Sequence, residues 1–125
     1  MPGSNTAEWL CRWHRRRRLW AAAALAAALL IALGSLTPGG EMPESLPWDK
    51  LNHFVGYAGL AGLLGLAGWR LSWAFALAVA YGIAIEFAQI LVPGRSGGDG
   101  WDIFANTLGS GSGVLFLYGL RRYLG

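Results

Sequence analysis

Asp49, Lys50, His53, Glu86, Arg95, Asp99 and Asp102 come from separate stretches of an otherwise apolar sequence, and each carries a group able to move a proton or hold an ion. A polar group within or beside a bilayer costs free energy unless it is paired, hydrated or used. His53 is the natural general base near neutral pH, and Glu86 and Asp102 are carboxyl groups that can orient it or take part in proton transfer. These three are the candidate catalytic residues, with Asp49, Lys50, Tyr57, Gln89, Arg95 and Asn106 as candidate ligand-binding residues. Lys50, His53 and Arg95 suit an anionic headgroup. The carboxylates Asp49, Glu86, Asp99 and Asp102 outnumber Lys50 and Arg95, which leaves a cationic ligand or a divalent ion as an alternative. One histidine with scattered carboxylates is thin support for a metal, so no metal site and no cofactor are expected.

The elements that must position these residues follow from composition. Hydrophobic residues make up 54% of the 125, charged residues 14%, and there are 19 glycines and 7 tryptophans, a balance that fits a helical membrane protein and leaves no room for a separate soluble domain. Arg12, Arg15, Arg16, Arg17 and Arg18 hold half of the 10 basic residues, directly before the first apolar run. That position marks a topology signal and is compatible with anionic lipid headgroups; no base-reading pattern follows, so nucleic acid is not an expected partner. Cys11 is the only cysteine, which excludes an internal disulfide.

Apolar segments at 19–36, 51–69, 71–92 and 103–120 each approach the roughly 20 residues that cross the hydrocarbon core. The expected fold is all-α: a polytopic four-transmembrane-helix bundle over 19–125, preceded by a basic cytoplasmic segment at 1–18. The first span also reads as a signal peptide with cleavage near Ala32-Leu33-Gly34, and twin-arginine export is disfavoured because no folded passenger follows. The N-terminal arginines, Arg70, Arg121 and Arg122 fall on one side, which places both termini in the cytoplasm of a bacterial plasma (inner) membrane protein. The loops at 37–50 and 93–101, with the acidic residues, then face outward.

Spacing brings the polar groups to common faces. Asp49, His53 and Gly56 recur at i, i+4 and i+7; Gly82, Glu86 and Gln89 repeat that spacing; Asp102, Asn106, Gly109 and Gly113 continue a stripe that begins at Asp99. Ala74, Ala78 and Gly82 form a small-residue stripe leading to Glu86, where helix backbones can approach closely. At 1.5 Å per residue, His53, Glu86 and Asn106 lie roughly 6 to 10 Å below the outer ends of their helices. At that depth the Glu86 carboxyl must find a basic partner such as His53, Lys50 or Arg95, or stay protonated. Some of these residues also have structural explanations: Asp99 can cap the last helix, and Pro47 suits a first helical turn.

The two hairpins echo each other. Leu36-Thr37-Pro38-Gly39 precedes Trp48-Asp49, His53 and Gly56; Leu91-Val92-Pro93-Gly94 precedes Trp101-Asp102, Asn106 and Gly109. An internal duplication with parallel repeats is one explanation. Glu86 has no counterpart, because Ile31 occupies the equivalent place.

Asp49-Lys50-x-x-His53-Phe54-x-x-Tyr57, Glu86-Phe87-x-Gln89, Pro93-x-Arg95 and Asp102-x-x-x-Asn106-x-x-Gly109-x-x-x-Gly113, in this order from about Leu36 to Gly113, resemble the VanZ-like family of small bacterial membrane proteins. The stretch Gly97-Gly98-Asp99-Gly100 departs from the family's pattern by its lack of apolar residues. The resemblance implies four spans and a link to low-level resistance to a glycopeptide antibiotic. The expected partners are membrane lipids and an envelope amphiphile, a lipid phosphate or a lipid-like glycopeptide antibiotic, and homo-oligomerisation is compatible with such a small bundle. Two rivals stand beside that expectation: a structural or interaction subunit whose polar set locks the helices, and a transporter, disfavoured because the polar groups stop at one face. No phosphate loop, dinucleotide fingerprint or serine nucleophile elbow is present, so the chain matches no standard enzyme motif.

Overall fold

No proline falls inside any of the four apolar segments, and the helices formed by the first three are followed by Pro38, by left-handed Gly68, and by Pro93 with left-handed Gly94. The computed structural model describes residues 16–38, 49–94, 97 and 100–124, together with Glu8 and Arg12. The described residues form four helices: α1 (Arg17–Leu36), α2 (Asp49–Leu66), α3 (Leu71–Gln89) and α4 (Gly100–Leu124). Three stretches, Arg17–Leu36, Leu71–Gln89 and Gly100–Tyr123, are long and apolar enough to cross a membrane, whereas the apolar part of α2, Leu51–Leu66, is shorter.

Local features set the helix ends, at the expected residue for the end of α1 and the start of α3 and away from it elsewhere. α1 stops at Leu36 because Thr37, forced by Pro38 out of the helical region, is extended at φ −70 and ψ 134. α2 ends at Leu66, short of residue 69, in a Schellman turn: Trp69 N–H donates to Leu64 O at 3.2 Å and Gly68 N–H to Gly65 O at 3.1 Å. Gly68 has φ +106, which a side chain would strain. α3 ends at Gln89 and unwinds through 90–94, where Gly94 takes φ +75. α4 extends past both expected bounds, so Asp102 enters its first turn and Arg121 and Arg122 its last, the ends at which the helix dipole favours each charge.

The helices alternate in direction. Contacts of Gly56 with Ile31 and of Gly68 with Arg17 make α1 and α2 antiparallel, while Gly109 against Phe54 and Gly113 against Ala58 make α2 and α4 parallel. The α2–α4 seam is the most extensive in the molecule; α3 packs across both helices and α1 lies mainly on α2. A methyl group at Gly109 would fall on the Phe54 carbonyl, and one at Gly113 on the Ala58 carbonyl, so the backbones of α2 and α4 touch directly. Ala24, Tyr57, Leu60, Ala61 and Ala78 form the core where the helices converge. This order gathers Arg16, Arg17, Arg18, Arg70, Arg121 and Arg122 at one end of the bundle and the first turns of α2 and α4 at the other.

Candidate functional site

The close approach at Gly109 brings the turn before it, with Asn106, against the first turns of α2. His53 Nδ1 lies 2.9 Å from Asn106 Oδ1, and His53 Nε2 lies 3.9 Å from Asp102 Oδ2. An amide oxygen only accepts hydrogen bonds, so Nδ1 carries the hydrogen in that pair and Nε2 is left as the nitrogen that gains or loses a proton. His53, Asp102 and Asn106 are 8%, 5% and 1% exposed, which removes water as a competitor for these contacts. Ser110 Oγ donates to the Asn106 carbonyl at 2.8 Å and fills the space one turn below.

α3 supplies the opposite wall. Ala74, Ala78, Gly82, Ile85, Glu86 and Gln89 are its buried residues, which is the small stripe continued into the acid and the amide. Gly82 is where α3 meets the other two helices: a Cβ there would stand 3.0 Å from Asn106 Nδ2 and 3.1 Å from Tyr57 Cε1. Glu86 is one turn further towards the polar end and fully buried. The loop returns over the same turn, since a Cβ at Gly97 would meet the Glu86 carbonyl at 2.8 Å. Gln89 Nε2 donates to the Ser35 carbonyl at 2.8 Å and so ties α3 to the end of α1.

Of the candidate residues, His53, Asp102 and Asn106 are in direct contact or nearly so, Tyr57 meets Asn106 at Gly82, Glu86 is buried one turn beyond Gly82, and Gln89 is turned towards α1. Asp49 and Lys50 form the first turn of α2. Arg95 and Asp99 lie outside the described residues, as do Pro47 and Trp48. Tyr57 Oη, Gln89 Oε1 and Asn106 Nδ2 are buried without a hydrogen-bond partner among the described residues. Such atoms are costly where no water can reach them, and they give the site unused donor and acceptor capacity. Among the described residues no group of three or more His, Cys, Asp or Glu side chains is arranged to hold a metal ion.

Two participants escaped the sequence reading. Ser110 stands at i+4 from Asn106, a spacing that points to its role, but serine in a helix commonly back-bonds its own turn without any site. Ser35 contributes a backbone carbonyl, for which no side-chain pattern exists. Comparison with known proteins found no family model, no curated protein and no solved structure that matches this chain.

Proposed function

We propose that this chain is a VanZ-like protein of the bacterial plasma membrane that crosses the bilayer four times with both termini in the cytoplasm. Its polar cluster then opens towards the extracytoplasmic ends of α2, α3 and α4, where it binds or acts on an envelope amphiphile, a lipid phosphate or a lipid-like glycopeptide antibiotic. Resistance to such an antibiotic is the corresponding phenotype. Gathering of the arginines at the other end supports the orientation. The 18 residues of α2 span about 27 Å, close to the roughly 30 Å of hydrocarbon, which supports counting it as a span whose first turn meets the interface.

The observation that carries the site is the histidine fixed between Asn106 Oδ1 at 2.9 Å and Asp102 Oδ2 at 3.9 Å inside a helical bundle. Asn106 holds the ring tautomer, Nε2 accepts a proton from the ligand, and the Asp102 carboxylate stabilises the imidazolium that results. Lys50 and Arg95 meet the anionic headgroup, and the N-terminal dipoles of α2 and α4 add to the attraction. Tyr57 lies one turn below His53, Glu86 forms the α3 wall, and Gln89 ends that wall against α1. Mass spectrometry of lipids co-purified with wild type, His53→Asn and Arg95→Ala tests this reading. A bound species present in wild type and lost from both folded variants is the expected result; identical lipid content in all three overturns it.

Burial favours a second reading, in which the same groups only lock the helices of a structural or interaction subunit, because Glu86, Asn106 and Ser110 are all within 1% of complete burial. Under that reading His53→Asn and Glu86→Gln unfold or disassemble the protein. Under the binding reading they leave it inserted and folded but without the phenotype.

A further inference from the structure

A second concavity lies at the arginine end, remote from His53. It is an apolar groove of about 290 Å³ between α1, α2 and α3, running from Ala21 and Trp69 at its mouth to Ala28 and Tyr81 at its floor. Its length along α1, from Ala21 to Ala28, is about 10 Å. The floor is closed by the Tyr81 hydroxyl, which donates to the Ala28 carbonyl at 2.5 Å. The groove exists because α1 presents alanine on this side: Ala21, Ala24 and Ala28 are too short to fill the space that Leu60, Leu64 and Leu77 border.

The mouth is basic. Arg16, Arg17, Arg18 and Leu19 line an open hollow one turn from Ala21. Arg17 also reaches across to the turn after α2, where its Cδ lies 3.1 Å from the Cβ position of Gly68, between the groove residues Ala67 and Trp69. Arg121 is held at this end by a hydrogen bond to the Gly65 carbonyl at 2.7 Å and adds to its positive charge.

We propose that this groove and hollow together form a site for one anionic phospholipid, with an acyl chain lying against Ala21 and Ala24 and the phosphate met by Arg17 and Arg18. Apolar volume and positive charge occur in the order, and at the separation, in which a phospholipid presents its chain and its headgroup. A basic pocket between membrane helices is the setting in which specific headgroups are retained. The site shares no residue with the polar cluster and lies at the other end of the bundle, which on the orientation proposed above is the other leaflet.

Full-length protein reconstituted into bilayers of equal phosphatidylglycerol and phosphatidylcholine, extracted gently and weighed by native mass spectrometry, tests the proposal. Wild type should retain phosphatidylglycerol with about ten-fold preference. Arg17→Gln with Arg18→Gln should abolish the preference, and Ala21→Phe, an exposed position at the groove mouth, should reduce the retention of phosphatidylglycerol by filling the groove. Retention of both lipids in equal amounts by wild type overturns the proposal, as does a preference that survives the double arginine change. Unchanged retention in Ala21→Phe, or displacement of the lipid by soluble glycerol phosphate, would mean that the arginines bind a phosphate without the groove, and this also overturns it.

Discussion

Glycine lines the seam between α2 and α4, alanine lines α1 where it meets α2 and α3, and the two small residues do different things. At Gly109 and Gly113 the missing side chain lets backbone touch backbone, on Phe54 and Ala58, and the helices cannot separate without losing those contacts. At Ala21, Ala24 and Ala28 the single methyl group leaves a groove instead. The same contrast holds for polar groups. The α2–α4 seam joins side chain to side chain, His53 to Asn106, whereas α1 is held by side chains that reach its backbone, Tyr81 to Ala28 and Gln89 to Ser35. A bond to a backbone carbonyl asks little of the sequence of α1 and fixes little of its register. Precision is therefore concentrated where the candidate chemistry is.

The largest effect expected from this contrast is steric. Gly113→Ala or Gly109→Ala places a methyl group on a carbonyl that cannot rotate away, and each should destabilise the folded protein by about 2 to 3 kcal/mol. Ala21→Leu, at an exposed position of α1, should change stability by less than about 0.5 kcal/mol. Denaturant titration followed by circular dichroism checks both. Similar costs at Gly113 and Ala21 would break the comparison.

A smaller effect sharpens it. A double-mutant cycle over His53→Ala and Asn106→Ala isolates their hydrogen bond from the burial each side chain contributes alone. The coupling should be about 0.6 kcal/mol and no more than about 1.7, the range for hydrogen bonds between helices within membranes. A coupling of zero would mean that the glycines alone set the seam and that His53 is positioned by packing. That result would also weaken the proposal that Asn106 selects its tautomer.

These contrasts mark what was legible in the chain and what was not. The face Asp102, Asn106, Gly109 and Gly113 follows from helical spacing alone, and all four residues do lie along the α2–α4 seam. Depth was equally readable: counting 1.5 Å per residue put His53 and Asn106 at one level, and they meet. The burial of Glu86 followed from the stripe of Ala74, Ala78 and Gly82 beneath it. Choice of partner was not legible. Gly56 and Gly109 hold equivalent places in the echoing hairpins, yet Gly56 faces Ile31 of α1 and Gly109 faces the backbone of α2. Spacing fixes which side chains share a face, but which helix covers that face depends on packing among all four. The Ser35 carbonyl was invisible for another reason, because any residue type at that position offers the same group.

The smallest effect falls on the α1 side. Tyr81→Phe removes the hydroxyl that donates to the Ala28 carbonyl and leaves the ring at the floor of the groove. A helical carbonyl at mid-segment retains its own bond to the amide four residues on, so no buried acceptor is orphaned, and the loss should be about 0.5 kcal/mol, the low end for a hydrogen bond. The change should be local as well as small. Hydrogen exchange should quicken in α1 and remain slow in α2 and α4, because the glycine contacts and the His53–Asn106 pair do not depend on where α1 sits. Faster exchange in all four helices would instead make α1 part of the cooperative core. The groove could then no longer be described as a feature that α1 tolerates without cost to the polar site.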